Sequence, residues 1–114
     1  MRSSLDRTFV ALGDPARLKV ISLLRKKPRR PSDIAEALSM SRPATSRHLR
    51  ILRQSGLVEE EPGDEDDARV RMYRLRQQPF TKVRVWLDEV ESFWNDQLGA
   101  FKDHVESRYG GHGG

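Results

Sequence analysis

The sequence predicts a mostly α fold with a small two-stranded β-wing, a winged helix-turn-helix. Three observations predict it. Before residue 56, short apolar-periodic segments are opened by Ser, Asp and Pro and read as four short helices. After Gly56 the period changes, and two short extended segments flank an acidic turn. From residue 80 onward, apolar residues recur every three or four positions and read as one long helix.

Taken in order, Ser3 or Ser4 caps a first helix through about Leu12, with Leu5, Phe9 and Leu12 on one face. Gly13 ends it. Asp14-Pro15 reads as an N-cap and first helical position, and the second helix runs to about Arg25. Its expected buried face is Leu18, Ile21 and Leu23 or Leu24. Pro28 prevents continuation. Pro31-Ser32-Asp33 opens a short third helix with Ile34, Ala35 and Leu38 apolar. Ser39-Met40-Ser41 is a tight connection. Ser41 caps the fourth helix, which buries Thr45, Leu49 and Leu52 and stops near Ser55, with Gly56 as its left-handed cap. Residues 57–61 form one strand and 69–75 the return. Val70 and Met72 lie on one face of the return strand, Tyr73 and Leu75 on the other, so both faces are covered or a bulge shifts the phase.

The long helix spans residues 80–108, about 29 residues and roughly 43 Å. Val83, Leu87, Val90, Trp94, Leu98, Phe101 and Val105 form its stripe, with Trp86 and Phe93 alongside. A chain of 114 residues, 36% hydrophobic, supports one small core and has little left to cover that stripe. Homodimerisation is the economical expectation. The expected organisation is a core over 1–79, a dimerisation helix of the same domain over 80–109, and a disordered glycine-rich tail over 110–114.

Composition excludes several classes. There is no cysteine, hence no disulfide scaffold, thiolate metal site or cysteine nucleophile. No stretch reaches the roughly 20 apolar residues of a membrane span, and residues 1–9 are too polar for a secretory signal. A cytoplasmic protein is expected. No glycine-rich phosphate loop, nucleophile elbow or helical HExxH occurs, and Ser46 and His48 point apart on one helix, so no enzyme and no cofactor is expected.

Charge is divided unevenly. Residues 1–57 hold 13 Lys or Arg against 4 Asp or Glu, a balance of +9; residues 58–114 hold 8 against 13, a balance of −5. Of the 21 basic residues 16 are arginine, the side chain suited to bidentate phosphate and guanine contacts. Helix, tight turn, helix and ribbon is the order in which a second helix enters the DNA major groove. The free face of the fourth helix carries Arg42, Ser46, Arg47, Arg50 and Arg53. Arg42 is placed for guanine, Arg50 and Arg53 for phosphate. The partner read from these residues is double-stranded DNA.

Phe9-Val10-Ala11-Leu12-Gly13-Asp14-Pro15-Ala16-Arg17-Leu18 resembles the opening of ArsR-type repressors. So does the run from Ser39 to Leu52 into Gly56-Leu57-Val58, and Tyr73-Arg74-Leu75 resembles the end of that family's wing. The resemblance covers residues 5 to about 76. It implies a homodimeric repressor, dimerising through its first and last helices, that binds an imperfect palindrome, often in its own promoter. By position it assigns recognition to Arg42, Pro43, Thr45, Ser46 and Arg47. Ser41 at the cap and Arg69 and Arg71 in the wing complete the expected DNA-binding set. The expected dimer residues are Leu5, Phe9, Leu87, Val90, Trp94, Leu98, Phe101 and Val105.

Two departures stand out. Metal-sensing members of the family use cysteines, absent here, or paired Asp/His and His/Glu on the last helix. Asp88, Glu91, Asp103, His104 and Glu106 do not reproduce that spacing, so the resemblance is to the non-metal branch. His104 with a partner chain's carboxylate is the remaining metal combination, set against a solvated helix face. Second, residues 59–67 carry seven acids in nine positions, which DNA phosphates repel. Asp67 pairing with Arg69 to present an arginine to the minor groove, a solvated loop off the DNA, and a brake on non-specific binding all remain open. The rival function is a winged-helix protein-interaction module. An unidentified small-molecule effector, held at an apolar dimer pocket, is compatible with the DNA reading.

Overall fold

Local caps set the helix starts. The computed structural model describes residues 3–63 and 70–109, with side chains through 102 and at 104. The Ser3 hydroxyl accepts from the Asp6 amide and opens α1, Ser4–Leu12. Asp14 Oδ1 accepts from the amides of Ala16 at 2.8 Å and Arg17 at 3.3 Å, with Pro15 first in α2, Pro15–Leu24. Burial works to raise the Asp14 pKa. The two amides, the Arg17 guanidinium and His48 outweigh it and hold the carboxyl below its usual range.

That sign fixes a pH dependence. A group whose pKa is lowered by folding stabilises the fold above its unfolded pKa and loses that contribution as pH falls through the folded one. Asp14→Ala is expected to lower the melting temperature by several degrees at neutral pH. Asp14→Asn, which keeps an acceptor oxygen, should fall between, and its gap from wild type should close on acidification. Equal melts for all three at neutral pH would show that the cap contributes nothing.

Helix α3, Pro31–Ala37, and α4, Arg42–Gln54, follow the predicted boundaries closely. The turn between them is closed by Met40 N–H donating to Ala35 O at 2.9 Å and holds Ser39 at φ 52°. A left-handed serine was not expected there; the short connection imposes it. The Ser41 hydroxyl accepts from the Ala44 amide at 3.2 Å. Gly56 has φ 77°, the left-handed cap its position predicts.

Ala11, Val20, Leu24, Ile34, Leu49, Leu52, Leu57 and Val58 form the buried core, with Ile21, Leu23, Leu38, Tyr73, Leu75 and Phe80 packed around it. The expected face of α2 needs correction: Val20 is fully buried, whereas Leu18 is 48% exposed. Two residues are about 200° round a helix, so a face centred on Val20 and Leu24 turns Leu18 outward.

Strands β1, Val58–Pro62, and β2, Arg71–Leu75, pair antiparallel in unbroken register from Val58 with Leu75 to Pro62 with Arg71. No bulge is needed. Tyr73 and Leu75 pack on the core, while Met72 lines a groove with Pro28 and Arg29 on the other side. Arg29 exchanges both backbone hydrogen bonds with Tyr73 at 3.0 and 2.8 Å, adding a one-residue third rung. Nothing local marks it in the sequence.

Helix α5 is Gln77–Tyr109, starting three residues before its predicted position. Pro79 falls within its first turn, where a missing N–H costs no helical hydrogen bond. The chain divides into two compact units, residues 1–81 and 82–114. In the second, α5 exposes Leu87, Phe93, Trp94, Leu98 and Phe101 by 46–67%. Residues 110–114 lie outside the described residues.

Candidate nucleic-acid interface

Helix α4 is held from inside and open outside. Thr45, Leu49 and Leu52 are buried, as their spacing predicts. Arg42, Pro43, Ser46, Arg47 and Arg50 are exposed. Among the described residues, the side chains of Arg42, Arg47 and Arg50 have no hydrogen-bond or ion-pair partner. Three uncommitted guanidinium groups on a helix about 20 Å long are a ready match for phosphate and base acceptors.

Two residues of the expected DNA-binding set also make hydrogen bonds within the helix start. Thr45 is 1% exposed, and its hydroxyl donates to Ser41 O at 2.8 Å. Ser41 uses its hydroxyl oxygen as the α4 cap. Both hydrogen bonds fix the start of α4, where Thr45 is buried and Ser41 stays exposed.

The first turn of α4 borders a cleft of about 460 Å³ shared with α3 and the wing. Arg30 and Ser32 line it from the start of α3, Arg42 and Ser46 from α4, and Arg71 from β2. Three arginines round one cleft make an anion-attracting concavity. Arg71 was expected at the interface. Arg30 was not, although the Arg29-Arg30 pair beside Pro31 is the signal that pointed to it. Arg30 Nε also lies 3.2 Å from Asp33 Oδ2. Arg69 and the 64–67 acids lie outside the described residues, as does the Asp67–Arg69 pairing.

The acids of β1 engage other arginines. Arg53 Nη1 donates to Glu60 Oε1 at 2.9 Å, so this arginine, read as a phosphate contact, is tied to the wing instead. The Tyr73 hydroxyl donates to the same oxygen, and burial together with Glu60 pushes its pKa up to about 12. Arg74 pairs with Glu59 and Glu61, and Arg76 lies 3.7 Å from Glu59. Such exposed pairs contribute little stability. They do neutralise charge at the foot of the wing.

Arg17 joins three helices. It donates to the Ala11 and Val10 carbonyls at the end of α1, and its Nη1 lies 3.5 Å from His48 Nδ1 on α4. The sequence showed Asp14-Pro15 as a helix start but gave no sign of this link across 31 residues. Among the described residues, no three of His, Cys, Asp and Glu are grouped to hold a metal ion, and no helix is long and apolar enough to cross a membrane.

The sequence pattern of the bacterial regulatory proteins of the arsR family matches residues 14–60, from the α2 cap into β1. The HTH-type transcriptional regulator Rv2034 of Mycobacterium tuberculosis is 31% identical over 104 residues, covering 91% of each chain. The chain belongs to the ArsR family. The transcriptional repressor SdpR of Bacillus subtilis is 37% identical over 54 residues, 47% of this chain and 60% of that one. The solution structure of a homodimeric winged helix-turn-helix DNA-binding domain from Mycobacterium bovis superposes with a TM-score of 0.60 at 29% identity, covering 75% of this chain and 80% of that one. This ArsR-family chain is therefore a winged helix-turn-helix, DNA-binding transcriptional regulator and not an enzyme. Its α3–turn–α4 unit is the helix-turn-helix, and β1–β2 is the wing.

Proposed function

We propose that this regulator is a cytoplasmic, homodimeric repressor of the non-metal-sensing branch that reads a palindromic operator, its own promoter included. The observation that carries the reading is the uncommitted Arg42, Arg47 and Arg50 on the exposed face of α4. In each protomer α4 lies in the major groove with Ser46 and these arginines toward the DNA, while the basic cleft and Arg69 and Arg71 of the wing follow the backbone. The two half-sites lie about 10 bp apart, one helical turn. Leu5 and Phe9 on α1 and Leu87, Val90, Trp94, Leu98, Phe101 and Val105 on α5 form the dimer interface. The exposed apolar side chains of α5 and the homodimeric state of the M. bovis domain support this. SdpR, named as a repressor, supports the sign of regulation. A dimer seated across a promoter represses by excluding polymerase.

Fluorescence anisotropy with a fragment of the chain's own promoter, beside a scrambled fragment of equal composition, tests this across a salt series. Discrimination between the two at physiological salt is the expected result. Equal binding that vanishes with salt leaves only the electrostatic contribution and overturns specific reading of that promoter.

A further inference from the structure

On another side of the first unit, the C-terminal half of α2, the end of β2 and the first turn of α5 border an open cavity of about 430 Å³. Ile21, Leu75 and Phe80 line it, all half-buried and packed on the core. Arg25 and Arg76 stand in its lining with Ser22. The volume falls in the range of small-molecule sites, which combine apolar walls with a few polar groups that fix orientation.

The charges define the occupant. Among the described residues the Arg25 guanidinium has no partner. Arg76 donates through Nη1 to Gly56 O at 3.2 Å and has Nε 3.7 Å from Glu59 Oε2, leaving Nη2 uncommitted. Arg74 and Arg76 are met by Glu59 and Glu61, and Arg25 is met by no acid among the described residues, so three cations against two carboxylates leave room for a single further negative charge. Guanidinium groups favour planar carboxylates, which they bind by paired hydrogen bonds. At ~30 Å³ per water-sized share, the cavity holds roughly a dozen heavy atoms. We propose that this cavity binds a small apolar monoanion, a carboxylate with a medium-length aliphatic or aromatic body, its head on Arg25 and Arg76 and its body on Ile21, Leu75 and Phe80.

The inference stands apart from the DNA-binding reading and is tested without DNA. An occupant would nonetheless touch Arg76, the side chain that braces Gly56, after α4, to Glu59 in β1.

The probe is decanoate below its micellar concentration, with decanol as the neutral counterpart, titrated into the full chain and followed by backbone amide NMR. Saturable shifts at Ser22, Arg25, Gln77 and Phe80 are expected, with decanol binding more weakly. Arg25→Gln should weaken decanoate at least fivefold and leave decanol unchanged. Ser22→Trp, an exposed position that fills the cavity from its lining without touching the core, should abolish both. Phe93→Ser on the long helix should change neither. The proposal is overturned by an absence of saturable binding, by shifts confined to the amides of residues 87–101, or by unchanged decanoate affinity in Arg25→Gln.

Discussion

Trp94→Glu is expected to turn the dimer into a monomer and, with it, to remove tight operator binding. Leu87, Trp94, Leu98 and Phe101 recur at intervals of seven, four and three, so they form one stripe about 21 Å long on α5. Trp94 is 60% exposed and central in that stripe. Large apolar residues left in water on one helical face are an unsatisfied interface. In a two-fold dimer each substitution acts twice. At ~2 kcal/mol for each buried tryptophan, the loss is about 4 kcal/mol, roughly a thousandfold in the dimer dissociation constant. Each half-site is then bound alone, and the affinity for a palindrome falls by ~10²–10⁴. Sedimentation velocity reads the first effect and anisotropy the second. A variant that sediments as wild type would remove α5 from the interface. Because the buried core lies wholly in residues 1–81, circular dichroism should show the fold retained.

How far the sequence carried the structure depended on the range of the interaction. Asp14, Ser41 and Gly56 act on backbone within a few residues, so their roles were visible in the chain. The buried face of α4 was visible because, apart from Pro43, Ala44 and Ile51, the rest of that helix is polar. On α2, apolar residues at 18, 20, 21, 23 and 24 surround the axis, and periodicity could not choose Val20 over Leu18. Side-chain pairings were silent for another reason. Arg53 looks like Arg50 in the sequence; only the hairpin register, which sets Glu60 opposite Tyr73, brings an acid beside it. The same holds for Arg17 and His48. At the candidate interface, residue type was therefore legible and availability was not: the structure separates arginines that are free from arginines already engaged.

That separation gives the second large prediction. Arg42→Ala should weaken the operator by ~1–3 kcal/mol, about 5- to 150-fold, and erase the preference at one base pair of each half-site. Arg42 has no internal partner to give up, so its contacts to a guanine are gained in full. Arg50→Ala should weaken operator and scrambled DNA alike and reduce the salt slope by about 1, as loss of a phosphate contact does. Arg53→Ala should do much less than either, since its charge is already met by Glu60 at 2.9 Å. Glu60→Gln then supplies the converse. Removing that carboxylate's charge leaves Arg53 for the phosphates, and the salt slope should steepen. If Arg42→Ala keeps the wild-type ratio of operator to scrambled binding, the start of α4 does not read bases. If Glu60→Gln leaves the slope unchanged, the acids of β1 brace the wing without limiting the positive charge that α4 offers to DNA.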